Sequence, residues 1–188
     1  MSLTETVRLV VAAAVSLVLA VAALSDIRDR RIPNWTVLAL IGLYVVLIVA
    51  LGGHGLMSAL AAAGLALATT VALYAFRVIG AGDSKLFTAV AFFAGLGYLP
   101  LLVVATTLAG GVIALISLAS RPRRALAMFT LRGKGDWGRG VPYGLAIAVG
   151  GLIVMWAPLM NLVRPFGAPA PVSAGDIAHA FVQPRPPK

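Results

Sequence analysis

Of the 188 residues, 61% are hydrophobic and 11% charged, and the mean hydropathy is +1.00; soluble domains run near 45–50% apolar and about 25% charged. With no cysteine and only His54 and His179, the chain excludes disulfides, thiolate zinc sites and a thiol nucleophile, and offers little for a histidine metal site or a Ser/His/Asp triad. The formal charge of +9 reads as membrane topology in place of nucleic-acid binding, because Lys and Arg collect in cytoplasmic loops.

In chain order, apolar runs fall at about 8–24, 35–51, 56–79, 86–97, 99–119 and 141–163. The first has a signal-peptide-like "AVA", but Glu5 and Arg8 together do not make a positive leading segment, so an uncleaved first helix is expected. The stretch 86–120 has 35 residues without a charge, too long for one span across roughly 30 Å of hydrocarbon. "GLGYLP" at 95–100 supplies Gly and Pro for a turn, which divides this stretch in two. The expectation is an all-α integral membrane protein: a bundle of six transmembrane helices, the fourth short, forming one membrane domain over residues 1–163.

That arrangement puts loops 25–34, 77–85 and 120–140 on one side, with eleven of the 15 basic residues. The other side receives Arg8, Arg164, Arg185 and Lys188. The positive-inside rule then makes the basic side cytoplasmic, with both termini outside it and anionic headgroups facing the loops. Residues 164–188, rich in proline, read as a disordered C-terminal tail. The Gly-rich "RGKGDWGRG" at 132–140 matches no phosphate-binding pattern. Small residues, Ala61 to Gly64 and Gly144, Gly150 and Gly151, are expected to pack helices together.

Six acidic residues make each one informative. Asp26 ends the first helix and Asp83 stands between the third and fourth, both on the cytoplasmic side of the expected topology. Asp29 lies among arginines and balances loop charge, and Asp136 and Asp176 fall in hydrophilic stretches. Carboxylates at a membrane edge are tolerated at modest cost. Two that approach each other do not ionise together, and such a pair activates water for peptide hydrolysis with no metal, cofactor or thiol. Gly80 and Gly82 are expected to take positive φ at the turn into the helix. From spacing alone, "DSK" before an apolar run is more simply a helix N-cap, and Asp26 a helix-end residue in a basic loop.

"SDIRDRRIPNW" after the first helix, "GAGDSKLFTAVAFFAG" after the third and "VPYGLAIAVGG" at 141–151 together resemble the prepilin peptidases, membrane aspartic proteases with a GxGD motif. The resemblance covers about residues 8–163. It implies an inner-membrane endopeptidase that removes the basic leader of type IV pilin precursors at the cytoplasmic face. Asp26 and Asp83 match the two catalytic aspartates, and the resemblance alone supplies their pairing. Gly80, Gly82, Lys85, Pro33, Asn34, Pro142 and Tyr143 match supporting motif positions. The absence of cysteine and the short first loop resemble the peptidase-only branch of tight-adherence (Flp) pilus systems, so no N-methyltransferase activity is expected. A small transporter or proton-coupled subunit is a second reading, though no inverted repeat supports it. A non-catalytic scaffold for pilus assembly is a third.

Overall fold

The computed structural model describes residues 3–120, 143–160, 162 and 165. The expectations for the loop at 121–142, for Pro142 and for the proline-rich tail beyond Pro165 lie outside the described residues. Within them the chain is all-α: α1 Leu3–Asp29, α2 Asn34–Ala50, α3 Leu56–Ala75, α4 Ala81–Ser120 and α5 Tyr143–Leu159.

Six transmembrane helices are not what the structure holds. There are five helices among the described residues, and three, α1, α3 and α4, are long and apolar enough to cross a membrane. The reason is length: α2 and α5 have 17 residues each, about 25 Å of helix against roughly 30 Å of hydrocarbon. The stretch 81–120 runs on as α4 but consists of two helical arms joined across a kink, the division expected from its length and from "GLGYLP". Its break lies at Gly95, whose φ of 55° and ψ of −179° are non-helical, a conformation essentially confined to glycine. Pro100, expected in a turn, sits inside the helix.

The break changes the path of α4. Val90 and Thr106 both lie against neighbouring positions of α5, Gly151 and Gly150 respectively. Sixteen residues of straight helix would hold them about 24 Å apart, so α4 folds back at Gly95 and presents both arms to α5. The Leu96 N–H, freed from the helical ladder, donates to Ser58 Oγ at 2.9 Å, which satisfies a polar group that lipid cannot.

Packing follows from where small and large residues fall. On α1, Val11, Val15, Leu19, Ala22 and Ala23 recur every three or four residues and are buried, one stripe of a helix turned toward its neighbours. Ala59, Ala62, Ala63, Ala66 and Thr70 form the buried stripe of α3, and small side chains let helices approach closely. The helix α4 packs against α3, α5 and α2, and α1 against α5 and α2. Tyr44 of α2 meets Phe92 and Phe93 of α4 with ring centroids 5.2 and 5.5 Å apart. Trp156 Nε1 of α5 donates to Ser16 Oγ of α1 at 3.0 Å. The outward faces keep large apolar side chains exposed, among them Leu17, Leu38, Val49 and Leu108, as befits a multi-spanning protein whose solvent is lipid.

Candidate active site

The buried stripe of α1 ends in Asp26, which continues the spacing of Leu19, Ala22 and Ala23 and is only 7% exposed. Helical periodicity, therefore, turns this carboxylate into the bundle. Its own carbonyl accepts from the Arg30 N–H at 3.1 Å, where the helix ends on a left-handed residue, Arg30 with φ 54°. The connection to α2 is tied by Ser25 Oγ, which donates to the Arg31 carbonyl at 2.9 Å.

Asp83 is brought by another element. Gly80 caps α4, its carbonyl accepting from the Ser84 N–H at 3.1 Å, so Asp83 stands in the first turn and is not itself the N-cap. Its Oδ2 instead accepts from the Gly80 N–H at 3.3 Å, the back-reaching half of a capping box. Next to it, buried Ser84 donates through Oγ to the Thr70 carbonyl at 3.2 Å and fastens this turn to the last part of α3.

Both aspartates lie at one end of the bundle. A Cβ on Gly82, next to Asp83, would touch Ile32 of the α1–α2 connection at 3.5 Å. A third element closes the site. The first turn of α5 lies against the Asp26 carboxylate, and its Gly144 and Leu145 N–H groups interact with it. A Cβ on Gly144 would come within 2.9 Å of Asp26 Cγ and Oδ2. The Oδ2 atom is buried without a hydrogen-bond partner among the described residues.

The supporting positions divide. Gly80 does make a close approach, since a Cβ there would meet Asp83 Oδ2 at 3.0 Å. Neither Gly80 nor Gly82 has positive φ: the helix already begins at Ala81, so Gly82 is ordinary helix. Pro33 is the N-cap of α2 and accepts Thr36 Oγ1 at 2.8 Å through its carbonyl. Pro33 and exposed Asn34 line an open groove of about 720 Å³ with Ser25, Asp29, Arg31 and Ile32, one residue along from Asp26. Lys85 is exposed on α4, and Tyr143, 41% exposed, opens α5. Among the described residues no three His, Cys, Asp or Glu side chains gather as metal ligands.

Sequence reading of spacing missed the contact of Gly144 with Asp26. The signal was the glycine that closes "PYG", which had been read only as helix packing. Chemically, the arrangement offers two carboxylates from different helices, one deeply buried and one half-buried, at the rim of an apolar bundle.

Compared with models of known families, the chain matches the type IV leader peptidase family over residues 13–115, a stretch that includes Asp26 and Asp83. Neither the curated proteins nor the solved structures give a match. The protein belongs to the type IV leader peptidase family.

Proposed function

We propose that this protein is a membrane aspartic endopeptidase that removes the basic leader of Flp-like type IV prepilins at the cytoplasmic face of the inner membrane. The observation that carries the reading is that Asp26, near the end of α1, and Asp83, in the first turn of α4, come from different helices to one end of the bundle, where Ile32 of the α1–α2 connection meets Gly82. Family membership supports hydrolysis as the chemistry.

In this reading the pair holds a water between the two carboxyl groups. The ionised member takes a proton from the water as its oxygen attacks the scissile carbonyl carbon, and the protonated member hydrogen-bonds the carbonyl oxygen. Collapse of the tetrahedral intermediate breaks the C–N bond, and the leaving amine takes a proton from the pair. The apolar helix of the substrate packs against the bundle within the membrane, which fixes the bond relative to the carboxylates. The open groove at Ser25, Asp29, Arg31 and Asn34 adjoins Asp26 and gives the polar segment before the cleavage point a place to lie. The chain has no cysteine, which fits the peptidase-only branch that the sequence resembles, and the proposed activity is peptide hydrolysis alone.

The test is cleavage of a purified prepilin in liposomes containing the protein. Wild type should release the leader, and Asp26→Asn and Asp83→Asn should each insert normally and release none. Full cleavage by either variant would remove the dyad. A methylated product would contradict the peptidase-only assignment.

A further inference from the structure

We infer that Gly144 is a positioning residue for Asp26, one that lets the first turn of α5 grip the carboxylate and hold it in its working orientation. This rests on the reading of Asp26 as half of a water-activating pair. Three observations from the structure support it. The contact is closer than any side chain allows: a Cβ on Gly144 would lie 2.9 Å from Asp26 Cγ, 2.9 Å from Oδ2 and 3.0 Å from Cβ. The Gly144 and Leu145 N–H groups interact with the carboxylate, and amides at a helix start favour an anion. Asp26 is buried to 7% exposure and its Oδ2, which lacks a hydrogen-bond partner among the described residues, is the oxygen that lies against Gly144, so the α5 backbone encloses the carboxylate.

The bland alternative is that Gly144 merely permits close helix packing, as Gly150 does. Gly150 sits on the same helix against Thr106, and Gly151 against Leu19 and Val90, all away from the carboxylates. The two roles differ in what a methyl group disturbs. At Gly144 it displaces a carboxylate, whereas at Gly150 it displaces a hydroxyl and the backbone of α4.

The experiment combines turnover with a stability cycle, using full-length protein in detergent and liposomes with a purified prepilin. Gly144→Ala should lower kcat per folded molecule by about 100-fold, the scale of a 1 Å misplacement, and change KM less than about twofold. Its apparent melting temperature should fall by roughly 5 °C, the scale of modest overpacking. That fall should shrink by at least about half when Gly144→Ala is made in the Asp26→Gly background, where all three close contacts are gone. Gly150→Ala serves as the packing control: it should lower the melting temperature yet keep kcat per folded molecule within about twofold of wild type. Turnover by Gly144→Ala within about twofold of wild type would overturn the inference. So would a melting-temperature fall of undiminished size in the Asp26→Gly background, which would make Gly144 a packing residue only. If Gly144→Ala does not accumulate in membranes, recovery of the protein in the double variant supports the contact and its failure to recover refutes it. Cleavage by Asp26→Asn would instead defeat the underlying dyad, and the stability cycle would still report separately on the Gly144–Asp26 contact.

Discussion

Gly144 and Gly150 stand on the same helix, less than two turns apart, and each brings the α5 backbone against a neighbour that a methyl group would displace. Their surroundings are opposite. Around Gly150 and Gly151 the neighbours are Thr106, Leu19 and Val90, in the buried middle of the bundle. Around Gly144 the neighbour is the Asp26 carboxylate, at the bundle end where α4 also begins with Asp83 in its first turn. One backbone device therefore serves cohesion in the middle and, in the proposed reading, the carboxylate pair at the rim. A residue type alone does not say which, and the partner does.

Substitutions sharpen or break this division, and the largest effect belongs to the rim. Asp26→Asn and Asp83→Asn should each reduce prepilin cleavage by about 10³-fold or more, since loss of acid–base assistance alone is worth 10²–10⁴, while insertion and melting temperature stay near wild type. An unchanged rate would erase the distinction between the two regions. In the middle, Gly150→Ala should destabilise by roughly 1–3 kcal/mol through overpacking, read by thermal unfolding in detergent, with the activity of the folded fraction retained. Ser58→Ala should cost about 1–2 kcal/mol, because the Leu96 N–H loses its acceptor beside the break in α4. The smallest effect is expected for Thr106→Val. The Oγ1 of Thr106 is buried without a partner among the described residues, so an isosteric apolar replacement should be neutral or raise stability by about 1 kcal/mol or less. A clear loss of stability would mean the hydroxyl has work to do and the middle of the bundle is not purely structural.

Much of the fold was legible because lipid leaves a coarse signature: long apolar runs, glycines at breaks, and polar residues confined to ends. The number of spans was not. Residues 35–51 and 141–163 read as full crossings by hydropathy, but the run 35–51 is itself only 17 residues, and α2 keeps that length between Pro33 and Leu51. The division of 81–120, by contrast, was legible from its length and from "GLGYLP": α4 breaks at Gly95 into two arms, with Pro100 inside the second. At the site, the residues of the GxGD stretch were readable but their backbone was not. Gly80 and Gly82 suggested a turn with positive φ, and the chain instead simply starts a helix there, with Asp83 in its first turn. The contact of Gly144 with Asp26 spans 118 positions, and no local pattern in a single sequence encodes a pairing at that distance.

The shortness of α2 and α5 has a consequence for the surrounding lipid. Both begin at the bundle end that holds Asp26 and Asp83. Acyl chains bordering an apolar helix about 5 Å too short must compress or splay, at a modest energy for each ångström of mismatch. A bilayer thinned in this way would bring headgroups and their hydration nearer the carboxylates on that flank, and the proposed reaction consumes one water molecule for every bond it splits.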